Sequence, residues 1–208
     1  MTLRYEEKRH TLKQVMDLMD PLIQKWFMGK FSDLTEPQAY AIPLIHKGVN
    51  VLVSSPTGSG KTITAFLSII NELFQLKKAG QLENRIYCIY ISPLKALAND
   101  INKNLNEPLA EITALARAEG KDPPEIRVAV RSGDTSNYER QKMAKLPPHI
   151  FITTPESIAL VLSTPKFSQN FRHVKWVIVD EIHEVSSSMS RTSSRASGFR
   201  PPRPLSRR

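Results

Sequence analysis

Apolar residues recur at two different spacings along the chain, and the spacing changes near residue 50. Residues 11–28 place Leu12, Val15, Met16, Leu18, Met19, Leu22, Ile23, Trp26 and Phe27 at intervals that follow one face of a helix. Pro21 breaks or kinks that helix, or starts a second one. Another short helix is predicted over 37–46, with Thr35 as its N-cap. From Asn50 onward, short apolar runs alternate with helical patterns. Strands are predicted at 51–54, 85–92, 126–130, 149–153 and 174–180, and helices at about 61–78, 94–118, 136–145 and 155–162. Strands that are apolar throughout imply a parallel sheet covered on both faces. Their alternation with helices implies right-handed crossovers in a doubly wound α/β fold. No internal repeat is found.

Composition narrows this picture only a little. The 208 residues suffice for one sizeable α/β domain and not for two. A hydrophobic content of 40% and a charged content of 24% are ordinary for a globular protein. No apolar run approaches the roughly 18 residues of a membrane span, and the charged start MTLRYEEKRH lacks the apolar core of a secretory signal. The single cysteine, Cys88, lies within the apolar run 86–91, so it is expected as a buried strand residue and not as a reactive thiol. A reducing, cytoplasmic setting is expected.

The net charge of +9 says less about partners than it suggests. Six arginines in residues 185–208, with no Lys, Asp or Glu among them, leave only +3 for residues 1–184. That last segment is Ser-, Arg- and Pro-rich and cannot bury enough surface to offset the cost of ordering it, so a disordered tail is expected. Three readings stay open for it: a basic nucleic-acid arm, a solvated tail, or an out-of-frame read. The division expected is a helical lead-in over 1–30, an α/β domain over 31–184, and the tail over 185–208.

Two motifs carry the chemistry. Ser55-Pro56-Thr57-Gly58-Ser59-Gly60-Lys61-Thr62 lies between a predicted strand and a predicted helix, the context a P-loop needs. Gly58 and Gly60 allow a tight turn that aims backbone N–H groups at phosphate oxygens, with Thr57 and Ser59 between and before them. The following helix presents its positive end to the same anion. Lys61 supplies charge for the β- and γ-phosphates of ATP, and the Thr62 hydroxyl is a Mg²⁺ ligand. Ser55 stands where the strict pattern has Gly. The bland alternative, a Gly/Ser loop capping a helix, does not call for Lys-Thr at this point. The second motif is the apolar run Trp176–Val179 ending in Asp180-Glu181. Asp180 can hold Mg²⁺ through a water, and Glu181 can orient or deprotonate the attacking water. Two acids ending a strand carry no such meaning alone; paired with the P-loop they do.

Asp180-Glu181-Ile182-His183 spells a DEIH box, and with the P-loop it resembles the DEAD/DEAH-box superfamily 2 helicases. Further matches follow in that family's order. Phe31 and Thr35–Gln38 resemble the Q motif, in which Gln38 would read the adenine edge. Pro93-Leu94-Lys95-Ala96-Leu97 resembles motif Ia, Arg131-Ser132-Gly133-Asp134-Thr135 motif Ib, and Thr153-Thr154-Pro155-Glu156 motif Ic. Gly-Asp-Thr, Glu139-Arg140 and Pro147-Pro148-His149-Ile150 resemble the large-helicase-related (Lhr) branch. The resemblance covers about residues 12–187 and implies a RecA-like P-loop domain, with a mostly parallel sheet flanked by helices. It further implies ATP and Mg²⁺ as cofactors, single-stranded or duplex nucleic acid as partner with DNA favoured over RNA, and no membrane.

Within that resemblance Pro93, Lys95, Arg131, Gly133, Thr154 and Pro155 would touch the nucleic-acid backbone, and His183 would couple nucleotide state to a second domain. Thr154 also reads simply as an N-cap with Pro155 in the first turn, and a histidine after a strand as a plain polar surface residue. Glu156 repels phosphate and, in this family, is thought to support the loop. The other histidines, at 10, 46, 149 and 173, lack metal-ligand spacing. No second RecA-like domain, with the arginine fingers that add on the order of 10³–10⁵ in rate, is read from this chain. The chain alone is therefore expected to bind ATP and nucleic acid weakly and not to unwind. The rival readings are a non-enzymatic nucleotide- or nucleic-acid-binding module, which an ATPase assay separates, and another P-loop class, against which the Q motif and DEIH box speak.

Overall fold

The structure, a computed structural model, describes residues 4–56, 58–93, 101–123 and 125–182. The lead-in forms two helices, α1 Leu12–Met16 and α2 Pro21–Lys30, with Pro21 at the first turn of the second. There its missing N–H costs nothing. Helices α3 Glu36–His46 and α4 Lys61–Lys78 follow, then strand β1 Cys88–Ile91. A π-helical turn Asn102–Asn106 leads into α5 Glu107–Ala118. The remaining elements are β2 Val128–Arg131, α6 Asn137–Lys145, β3 Ile150–Thr153, α7 Pro155–Leu162, the short α8 Pro165–Ser168 and β4 Trp176–Val179.

The four strands form one parallel sheet in the order β2-β3-β1-β4. Cys88 pairs with Ile150 on one side and Trp176 on the other, and Ile91 with Thr153 and Val179, so the strands are nearly flush. The period-two alternation of a strand splits the apolar residues between two faces. Cys88, Tyr90, Ile150 and Ile152 join a core with residues of α1 to α5, and Trp176 and Ile178 pack against it. Ile89 and Phe151 face the other way, into a smaller core with Met143, Val161 and Phe167. The expected sheet with helices on both faces is thus found, the second face less completely covered. Val177 of β4 remains 60% exposed. Among the described residues no helix is long and apolar enough to cross a membrane.

One predicted strand is absent from the sheet. Residues 51–54 run without ladder bonds, and Leu52 is 66% exposed. An apolar run becomes a strand only when a neighbour meets its N–H and C=O groups, and here an open cleft separates the segment from β4. Of the sequence expectations, Thr57, residues 94–97 with Lys95, His183 and the tail from 185 lie outside the described residues.

Asp20 ties the lead-in to the P-loop helix. Its Oδ1 accepts the Leu22 N–H at 3.0 Å and caps α2, while its Oδ2 accepts from Lys78 of α4. Its backbone N–H donates to Asn71 Oδ1 at 2.7 Å. The Asp20 side chain is 3% exposed and Lys78 is half-exposed, so Lys78 regains water if its partner is lost. Asp20→Ala should still cost about 2–3 kcal/mol, the lost cap on the Leu22 N–H plus the lost charge-assisted bond from Lys78. The urea midpoint measures it, and a loss below about 1 kcal/mol would contradict the anchoring role.

Candidate nucleotide and nucleic-acid site

The P-loop closes on itself through its own side chains. Gly58 and Gly60 adopt φ of 80° and 87°, a left-handed conformation that is cheap only for glycine. A Cβ on Gly60 would stand 3.3 Å from the Thr35 hydroxyl, so the start of α3 lies directly against the loop. The Ser55 and Ser59 hydroxyls share a hydrogen bond of 2.7 Å. The Lys61 ammonium donates to the Ser55 carbonyl and, at 3.1 Å, to that of Pro56. Helix α4 begins at Lys61 without a side-chain cap, which leaves first-turn N–H groups for an anion.

Across a cleft of about 870 Å³ stands the end of β4, and the cleft is lined by Ser54–Pro56, Lys61 and Thr62 on one side and Asp180-Glu181 on the other. Asp180 N–H donates to the Ile91 carbonyl at 2.9 Å, so the acid is fixed one step beyond the last ladder pair. Its Oδ1 accepts the Glu181 N–H at 3.0 Å, and its Oδ2 accepts the Tyr90 hydroxyl at 2.6 Å. Glu181 has φ of 48°, a conformation that non-glycine residues adopt at a cost and that clusters at functional sites. The Tyr90 contact was not read from the sequence.

Gln38 is 2% exposed, and its Oε1 accepts the Thr35 N–H at 2.8 Å in a capping box at the start of α3. Its carbonyl is thus engaged within α3, beside the P-loop. Thr154 is buried likewise. Its Oγ1 accepts from the Ser157 N–H at 3.3 Å and donates to the Ser157 hydroxyl at 3.1 Å, capping α7 with Pro155 in the first turn. The capping alternative for Thr154 describes what its hydroxyl does here; any phosphate contact falls to the helix's backbone N–H groups.

The remaining candidates sit at the same edge of the sheet, because all four strands are parallel and all end there. Arg131 ends β2 opposite Thr153, whose hydroxyl donates to the Arg131 carbonyl at 2.8 Å. The Arg131 guanidinium lies 5.0 Å from the Phe167 ring centre. Burial first, and the Arg140 charge second, pull its pKa below the ordinary arginine value. Arg140 also donates to the Gly133 carbonyl at 3.1 Å. Arg131, Gly133 and Arg140 therefore form one basic corner, where sequence reading had singled out only the first two as contacts. Pro93 follows the end of β1, between this corner and the acids of β4. Three inter-strand spacings, about 14 Å, separate the ends of β2 and β4. Ligands of open α/β sheets bind at this carboxyl edge.

The DEAD/DEAH box helicase family model matches residues 35–200, running past Ser188, where the composition changes. The ATP-dependent helicase Lhr-Core protein 2 of Thermococcus barophilus is 55% identical over 186 residues, which is 89% of this chain and 22% of that protein. A structure of the Mycobacterium smegmatis helicase Lhr bound to ssDNA and AMP-PNP superposes with a TM-score of 0.74 and 42% identity, covering 82% of this chain and 21% of that one. The DUF1998 helicase MrfA bound to DNA and AMPPNP gives a TM-score of 0.64 at 27% identity, over 81% of this chain and 22% of that one. The chain spans about a fifth of the length of the relatives it matches.

Proposed function

We infer the function from one premise: the chain belongs to the DEAD/DEAH box helicase family. Its reading is a RecA-like domain that binds ATP with Mg²⁺ and grips a single nucleic-acid strand, DNA in preference to RNA, as the nucleotide-binding part of an ATP-dependent helicase. The observation that carries it is the meeting of the P-loop and Asp180-Glu181 across one cleft.

The residues suit the cofactors. Mg²⁺ takes a near-octahedral shell of oxygens and keeps several waters, so it needs only one or two protein ligands beside the phosphates. Thr62 offers a hydroxyl in the cleft, and each Asp180 oxygen retains a lone pair beyond the donor it already accepts. Bound there, the ion would neutralise charge on the β- and γ-phosphates. Lys61 would leave the Ser55 and Pro56 carbonyls for the phosphates, exchanging neutral acceptors for anionic ones. The first-turn N–H groups of α4 would hold the phosphate chain, and Glu181 would orient the attacking water. Arg131 and the start of α7 would hold the strand by its backbone, without reading bases. DNA is favoured because the Lhr and MrfA structures carry it.

A fluorescent ATP analogue titrated onto the 208-residue chain should bind more tightly with Mg²⁺ present than in EDTA. A labelled single-stranded DNA should bind more tightly than the RNA of the same sequence, and more weakly as salt rises. Absence of nucleotide binding at millimolar analogue would overturn the reading; equal DNA and RNA affinity would remove only the preference.

A further inference from the structure

Tyr90 lies on β1, not in either nucleotide motif, yet its hydroxyl reaches the acid of the second. The residue is 1% exposed. Its ring rests against Phe66 of α4, with centroids 5.0 Å apart and planes at 37°, so a helix that starts in the P-loop packs on one side of it. Its hydroxyl donates to Asp180 Oδ2 at 2.6 Å. The register explains the reach: Tyr90 pairs with Ile178, and Asp180, two residues on, returns to the same face. The Glu181 N–H restrains Asp180 Oδ1, so the two oxygens are held by donors from different elements.

We propose that Tyr90 is a positioning residue for the metal–nucleotide site: its hydroxyl fixes the Asp180 carboxylate so that the remaining lone pairs face the cleft beside Thr62. This rests on the nucleotide-binding reading above. A carboxylate two rotatable bonds from the strand end has several rotamers, and an ion held through a water gains little from a ligand that must first be ordered. Partners that orient a metal's ligands typically matter 10–100-fold in metal affinity. The Phe66 contact keeps the phenol itself from moving, and it links the position of the acid to that of the P-loop helix.

Tyr90→Phe removes only the hydroxyl and keeps the ring against Phe66. Two quantities are read by fluorescent-analogue binding: the Mg²⁺ concentration at half-saturation, and the nucleotide affinity in EDTA. The variant should need about tenfold more Mg²⁺ while its metal-free affinity changes less than twofold. In an Asp180→Ala background the same change should add nothing further. An unchanged Mg²⁺ midpoint, or an equal loss with and without Mg²⁺, overturns the positioning role and leaves the nucleotide reading standing. A parent chain that binds no analogue overturns both.

Discussion

Lys61→Ala should weaken Mg²⁺–nucleotide binding about 100-fold while leaving the thermal midpoint within a few degrees of the parent. The ammonium donates to the Ser55 and Pro56 carbonyls, so it is already ordered at the mouth of the cleft, and nucleotide binding costs it only those two neutral acceptors. Its gain is one or two charge-assisted bonds to phosphate, about 1.5–3 kcal/mol each, part of which offsets the bonds it leaves. A net loss near 2.7 kcal/mol corresponds to the 100-fold change. Stability should barely respond, because the freed carbonyls face a cleft open to water. Fluorescent-analogue titration checks the first part and thermal unfolding the second. Affinity within threefold of the parent would mean that the loop binds phosphate through backbone N–H groups alone, and that Lys61 belongs to the empty loop.

The second large effect is on stability and comes from His149, far from the cleft. The ring is buried at the start of β3. Its Nδ1 accepts the Arg127 N–H at 3.1 Å, and the Arg127 guanidinium lies 3.0 Å from Nε2. Burial first, and the Arg127 charge second, push its pKa down to about 4, against a smaller upward pull from the Glu83 backbone. An unfolded histidine titrates near 6.5. The folded value is the lower one, so the stabilisation is complete above pH ~6.5 and is lost as pH falls toward ~4. The shift of about 2.5 units corresponds to roughly 3 kcal/mol at most, a large share of a typical folding free energy. Urea unfolding from pH 7 to pH 4 should show this slope, and His149→Asn, which keeps an acceptor for Arg127 N–H, should flatten it whatever its absolute stability. The exposed Glu119, held down to about 2 by Lys121 and then Lys25, loses its contribution only below about pH 4.5, so the two windows hardly overlap. An equal slope in parent and variant would place the acid sensitivity elsewhere.

Much of the fold is legible because its elements are locally encoded. Pro21 reads as a breaker or a starter and proves a starter, since Asp20 caps the turn it opens. Helix α7 occupies 155–162, as its apolar spacing and Thr154 cap imply. The run 51–54 shows where local encoding ends: its residues are as apolar as those of β1, but pairing is a property of two segments, and its flank is the cleft. The site divides the same way. The P-loop and the DEIH box are contiguous motifs, so their residues can be named before their geometry is known. Tyr90 cannot, because its tie to Asp180 depends on the register Tyr90↔Ile178 between strands almost 90 positions apart. Nothing in the chain announces that register. The engaged carbonyl of Gln38 is equally out of reach, since a capping residue and a ligand-binding residue look alike in sequence; the capping hydroxyl of Thr154 is one of the two readings its sequence context offers.

The chain carries one thiol, and the sheet encloses it. Cys88 is fully buried between Ile150 and Trp176, and burial raises its pKa far above the ordinary thiol value. A thiol-specific reagent cannot reach it until β1 parts from a neighbour or a covering helix lifts. The rate of its modification is therefore a clock for opening of the central strand, with no engineered label. The same strand carries Tyr90 two residues on, so ligands that tighten the cleft should slow that clock.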